Sequence, residues 1–581
     1  MYFWRRYLIV GGLLLLLGGG GMLYWKRAEI TDALFRTVKR VGRHRTPDTP
    51  AEGSEHEGTA KRERKRYTPI PVEPPSAAGA PVEVLRKASL EMIERLAPIT
   101  WARAIGKEQD PSTPLVDDSP LFSKKWLAAL EAGIAEETDP RRKRALEYLH
   151  HDLLRRHIAA SVADLDRKIR EIAQRPAVVL GEERLNLDTA FARLVEEEDA
   201  AARKEIAQAM VPVIERMNPL FEERIARKEK AAHALGYPNY LALAESIGMH
   251  DFARLSKQAS EILDRTRSLY VELLAETASH ELSLPLPALS RHDFPRMLSL
   301  PRFKDAFPRE RLLPSLRGVL AGLGEDVAGK PIVLDIADRA GKGARALTVP
   351  VKIPTDIRVS LKPLGGYLDY AALFHEWGHA LHYAFSEDEF FEFAYLGPAS
   401  VREAYAFVFE RIAASDPFLE HHLEIPEATR RIIRRELAWA HLYLLRRYAA
   451  KFLFEVMRYQ NDMTPEEAAE RYREFLSDAC GVLLDESDGM WYLKDGDDDF
   501  AAADYLEGWI LAGQIENFLV YNFGDAWFER PGGGYLMGFW FRKNEPTAQE
   551  VSAQTGEEAL TPERLLQRIE AMLHPPIPAP E

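Results

Sequence analysis

The stretch Gly365-Gly366-Tyr367-Leu368-Asp369-Tyr370-Ala371-Ala372-Leu373-Phe374-His375-Glu376-Trp377-Gly378-His379-Ala380-Leu381-His382 decides how the chain is read. It contains His-Glu-x-x-His within a helical pattern. Residues four apart on a helix share a face, about one turn (~6 Å) apart. Two imidazoles so placed can bind one zinc ion. Glu376 follows the first imidazole and is rotated ~100° around the axis. From there its carboxylate reaches a water at the metal rather than the metal itself, which is the geometry of a general base. Burying two His and a Glu on an otherwise apolar helix is costly without such a use.

A catalytic zinc site needs a third protein ligand and one open position. The next helical segment, Ala399-Ser400-Val401-Arg402-Glu403-Ala404-Tyr405-Ala406-Phe407-Val408-Phe409-Glu410, offers two. Glu403 and Glu410 are seven residues apart and share a face. Either can be the ligand, and the other can orient a ligand imidazole from behind.

Upstream of the motif, Pro331–Leu334, Ala346–Val349 and Ile357–Leu361 read as short strands. Gly341 and Gly343 mark a turn between the first two, so Arg339–Arg345 reads as a hairpin turn near the cleft. The strand 357–361 reads as an edge open to an extended peptide. Further upstream the pattern is helical, near 86–108, 120–135, 138–178, 196–235 and 251–284, with helix starts at Asp139-Pro140 and Asp251. Residues 285–310 are Pro-punctuated loops. Downstream, 426–461, 464–480 and 500–524 are amphipathic. Asp495–Asp499 reads as a solvated acidic loop and Gly532-Gly533-Gly534 as a mobile loop over a channel. His292 and Asp293 carry no usable motif. The fold class is mainly α: a large helical body with a small β-sheet next to the motif helix.

The chain has 581 residues, a net charge of −14, 46% hydrophobic residues and a single cysteine, Cys480. The apolar fraction excludes wholesale disorder. One cysteine excludes intramolecular disulfides and cysteine-rich zinc modules. Residues 1–83 hold 14 Lys/Arg and 9 Asp/Glu, a net of +5, which leaves −19 for the rest. A body that acidic is repelled by phosphate backbones, so no nucleic acid partner is expected.

The basic excess flanks Tyr7–Trp25, an uncharged apolar run of about the length that spans a bilayer. Arg5 and Arg6 precede it, Lys26 and Arg27 close it, and aromatics sit at both ends, as in an interfacial belt. The run lacks a small-residue cleavage site, so residues 1–27 read as a single-pass anchor or uncleaved signal that places the protein at the membrane. Basic residues on both sides leave open which side the body faces. Residues 28–83 read as a charged, Pro-rich linker. The remainder divides into a helical N-terminal lobe, 84–325, and a catalytic zinc lobe, 326–575.

His375-Glu376-Trp377-Gly378-His379-Ala380-Leu381-His382 resembles the active-site helix of the thimet oligopeptidase and oligoendopeptidase F family of zinc metallopeptidases. That family carries Gly before the second zinc His and often a His three residues after it, here His382. Its third ligand is a downstream Glu followed by Ala, matched by Glu403-Ala404, and Glu410 matches a later Glu on the same helix. The resemblance implies one zinc per chain on His375, His379 and Glu403, with Glu376 as the base and Glu410 and His382 behind the ligands. It also implies a two-lobed helical fold with a deep channel that admits short peptides. There is a departure. Family members carry a His and several Tyr on a later helix that stabilise the tetrahedral intermediate. Here that region is Asp497–Trp509; Tyr505 matches one Tyr, and no His stands at the expected place. The reading is therefore a membrane-tethered zinc metallopeptidase acting on short peptides. A non-catalytic binding protein that keeps the fold, and a metallocarboxypeptidase, are the alternatives.

Overall fold

The computed structural model describes residues 80–107, 120–339, 341–343, 346–496 and 498–573. The anchor expected in 1–27 and most of the expected linker lie outside the described residues. Among the described residues, no helix is long and apolar enough to cross a membrane. The first helix, Ala80–Ala104, starts four residues before the lobe boundary expected at 84.

The body is mainly helical, with a two-stranded and a three-stranded sheet. Long helices form its frame, among them Pro140–Gln174, Phe252–Leu282 and Glu427–Gln460; the last two run antiparallel, with Phe252 against Phe452 and Glu276 against Arg435. Asp139 and Asp251 each cap a helix, accepting from the backbone N–H of Arg142 at 2.7 Å and of Arg254 at 2.8 Å. The single helical stretch expected over 196–235 is instead broken twice. Asp199 caps a new helix at Ala200–Glu215, and the Asn218-Pro219 pair opens another, Asn218–Ala234. Proline in the first turn is tolerated because its missing N–H would have no helical partner there.

The three-stranded sheet corrects two expectations. Its strands are Ile332–Asp335, Leu347–Lys352 and Asp356–Ser360, and the third lies between the first two. It pairs parallel with the first, Ile332 opposite Ile357, and antiparallel with the second, Leu347 opposite Ser360. Asp356–Ser360 is thus the central strand, not an open edge. The segment through Gly341 is a crossover, not a hairpin turn. Lys342 holds that crossover. Its buried ammonium donates to Asp335 Oδ1 at 2.7 Å and to the carbonyl of Leu361 at 2.8 Å.

Two further loops are not loops in the sense expected. Gly532–Gly534 lie in the helix Pro531–Phe541, and a Cβ at Gly534 would stand 2.0 Å from the carbonyl oxygen of Leu323. They are packing glycines. In the acidic segment, Asp495 is buried, accepts from Tyr472 Oη at 2.7 Å and pairs with Arg447. Asp499 accepts from Lys228 Nζ at 2.6 Å and from Tyr240. Bases and phenols replace the solvent expected around these carboxylates. Asp293 likewise has a role that no motif announced, in a buried pair with Arg203 at 2.8 Å.

Candidate metal centre

The motif lies on the helix Tyr367–Phe385, in which every residue except Leu368 is buried. Gly365 and Gly366 precede it at φ of 90° and 98°, a conformation that side chains rarely adopt. Asp369 accepts from the N–H of Gly365 at 2.6 Å and so fixes the first turn. The sheet pins the middle of the helix. Thr348 Oγ1, on the strand Leu347–Lys352, donates to the carbonyl of Glu376 at 2.7 Å.

The helix Ala399–Ile412 crosses the motif helix at Gly378. A Cβ on Gly378 would lie 2.7 Å from Ala406 Cα and 2.9 Å from the carbonyl oxygen of Tyr405. This close approach brings Glu403 to the imidazoles. One ligand atom each from His375, His379 and Glu403 lies within 4.8 Å of the other two. Glu403 Oε2 stands 3.5 Å from His375 Nε2 and 3.8 Å from His379 Nε2. Glu410 meets the same imidazole from the other side, with Oε2 2.8 Å from His375 Nδ1.

The donor set fits a zinc ion. Two imidazoles and one carboxylate converge, all four motif and ligand side chains are buried, and Glu403 Oε2 has no hydrogen-bond partner. Glu376 Oε2 is also buried without a hydrogen-bond partner. Burial pushes the Glu376 carboxyl up to about 7, against the pull of His375. Burial likewise raises Glu403, and the nearby Asp504 carboxylate adds to that rise. His375 is held near 10: burial pushes it down, and Glu403 and Glu410 outweigh burial. His379 is held well below its ordinary value by burial and by His375.

The remaining expected residues lie at the margin. His382 is wholly buried, with ring contacts to Tyr383, Tyr405 and Phe541 and no hydrogen-bond partner on either nitrogen. Tyr505 is buried on the helix Ala501–Phe523 and packs edge-on against Phe407 and Tyr448. Phe407 in turn packs on His375 at 5.2 Å between ring centroids. Thr348, Gly378, His250, Asp504 and Glu507 complete the surroundings; of these the sequence singles out only Gly378, as the Gly before the second His of the motif. The spacing Asp504-x-x-Glu507 on an apolar helix was a usable signal, since two acids on one buried face require partners.

No family model matches the sequence, and no curated protein does. Solved structures match over most of the chain. A protein described as an oligoendopeptidase F from Bacillus anthracis str. Ames aligns over 85% of this chain and 91% of its own, with a TM-score of 0.62 and 14% identity. The fold is that of oligoendopeptidase F. A second structure described as an oligoendopeptidase F aligns over 85% of this chain and 94% of its own, at TM-score 0.63 and 15% identity. PZ peptidase A, solved with an inhibitor, covers 86% and 93% at TM-score 0.59 and 14% identity. The oligoendopeptidase F fold thus spans the helical region upstream of the sheet as well as the motif helix.

Proposed function

We propose that the protein is a zinc-dependent metallopeptidase that hydrolyses peptide bonds in short peptides. The observation that carries this reading is the convergence of His375, His379 and Glu403 within 4.8 Å, with the buried Glu376 carboxylate, whose Oε2 has no hydrogen-bond partner, one residue along the same helix. The oligoendopeptidase F fold supports it.

His375, His379 and Glu403 would hold the ion. Zinc bound there supplies a Lewis acid that polarises the scissile carbonyl and acidifies water. Glu376 accepts the proton of the attacking water and returns it to the leaving amine. Glu410 accepts from His375 Nδ1 and so leaves Nε2 to face the ligand position. Thr348 fixes the backbone of Glu376 and hence the origin of the base.

The test compares the full chain with Glu376→Gln for bound zinc and for cleavage of a short-peptide mixture. Zinc near one per chain in both, with cleavage only in the wild type, is the expected result. Zinc in both without cleavage in either would favour the binding-protein reading, and no zinc in either would end the metal reading. Cleavage of peptides blocked at the C-terminus separates an endopeptidase from a carboxypeptidase.

The apolar run Tyr7–Trp25, with its basic and aromatic flanks, supports tethering of this peptidase to a membrane. Full-length chain that stays with the membrane pellet after alkaline extraction is the expected outcome; release into the supernatant would overturn the tether.

A further inference from the structure

His250 stands outside the motif and outside the sheet that supports it. It lies in the three-residue connector between the helices Tyr240–Gly248 and Phe252–Leu282, far upstream in sequence from every candidate ligand. The connector is built around its ring. Met249 takes the left-handed conformation that ends the first helix, at φ of 58°. Gly248 makes room: a Cβ there would stand 2.4 Å from His250 Cδ2. Phe252 stacks on the imidazole at 5.9 Å between centroids, and its N–H donates to Glu245 at 2.8 Å.

The ring enters the first turns of the helix Ala501–Phe523. Nε2 lies 3.0 Å from Asp504 Oδ1 and Nδ1 lies 3.0 Å from Glu507 Oε2, and all three side chains are almost completely buried. Carboxylates accept only, so an imidazole that satisfies both must carry both N–H groups. The group is therefore held as an imidazolium, consistent with a pKa raised to about 9, where the two carboxylates outweigh burial. Arg254 donates to the other oxygen of Glu507 at 2.8 Å.

This clamp is joined to the ligand helix at two points. Ser400, in the first turn of Ala399–Ile412, hydrogen-bonds Glu507. Gly508, the next residue, lies so close to the ligand helix that a Cβ on it would stand 2.9 Å from Glu403 Cβ. Asp504 is near enough to act electrostatically on Glu403 itself.

We infer that His250 is a positioning residue for the metal centre: by clamping Asp504 and Glu507 it sets the helix against which the Glu403 ligand is packed. The inference rests on the metallopeptidase reading. It assigns to the upstream helical region a contact that governs the ligand, two contacts removed from the reacting atoms.

The test uses His250→Gln in the full chain, which keeps polar atoms but cannot donate from both sides as a cation. Asp166→Asn is the control, because the Arg224–Asp166 pair, at 2.8 Å, is also buried and lies on the helices Pro140–Gln174 and Asn218–Ala234. The readouts are thermal stability of the metal-free protein, the visible spectrum with cobalt(II) alone as the probe, and kcat and KM on a short peptide. Both variants are expected to lose stability. Only His250→Gln is expected to shift the cobalt spectrum and to lower kcat by about 10–100-fold, the usual range for a group that orients a ligand, with KM little changed. A cobalt spectrum and kcat like wild type in His250→Gln would overturn the inference while leaving the metallopeptidase reading intact. Should His250→Gln fail to fold, Glu507→Gln tests the same clamp by the same readouts. A wild type that binds no cobalt would overturn both.

Discussion

Glu410 Oε2 lies 2.8 Å from His375 Nδ1, while Glu403 Oε2 faces the opposite nitrogen of the same ring at 3.5 Å. Two carboxylates on one helix thus have different work. Glu410 holds the proton on Nδ1 of His375, and Glu403 faces Nε2, the nitrogen turned toward the ligand position. Glu410→Gln should keep the fold but weaken zinc binding by about 10–100-fold, because the amide neither orients the ring as firmly nor raises its basicity. Competition with a coloured chelator measures this. An unchanged affinity would refute the orienting role.

Removal of the metal should destabilise the protein. His375, His379 and Glu403 are all buried, and their mutual approaches are no closer than 3.5 Å for His375–Glu403 and 3.8 Å for His379–Glu403. An ion that binds only the folded chain adds about 2.7 kcal/mol at a free concentration 100 times its Kd. Zinc titrated into metal-free protein should therefore raise Tm steadily with concentration, and Glu403→Ala should abolish most of that rise. A Tm indifferent to zinc would contradict the site.

Gly378→Ala reverses the usual sign of a helical Gly→Ala change. Ala in a helix interior is ordinarily better than Gly by about 1 kcal/mol. Here the new methyl would meet Ala406 Cα at 2.7 Å and the carbonyl oxygen of Tyr405 at 2.9 Å, both backbone. The two helices must separate, at a cost of about 1–3 kcal/mol for overpacking, and that separation moves Glu403 from the imidazoles. Denaturant unfolding should show the loss, and zinc affinity should fall with it. A stabilised variant with normal zinc affinity would show that the crossing is looser than the structure has it.

The motif was legible because its parts are contiguous: helical spacing alone places His375, Glu376 and His379. Glu403 and Glu410 were legible only as a pair. The period that puts both on one face does not say which nitrogen of His375 each meets, since that depends on the crossing at Gly378 and Ala406. The order of the three strands depends on pairing at a distance and on Lys342, whose ammonium binds carbonyls that no local pattern reveals. Gly532–Gly534 has the composition of a loop, yet its glycines are small because Leu323, Trp527 and Phe523 press on them. His250 had no motif at all, because its partners lie more than 250 residues away in the chain.

The same histidine gives a pH dependence with a definite sign. The His250 imidazole is raised from its ordinary 6.5 to about 9 by Glu507 and Asp504, which outweigh burial. A group whose folded pKa lies above its unfolded value stabilises fully below the unfolded value, and that contribution is lost as pH rises through the folded value. The window here runs from about 6.5 to about 9, and the stake is on the order of 3 kcal/mol. His375 is also raised, and it remains in both proteins when wild type is compared with His250→Gln. The difference in urea midpoint between the two metal-free proteins should be largest near pH 6 and should shrink as pH approaches 9.5. A difference constant across that range would mean that His250 is not held as a cation between the two carboxylates.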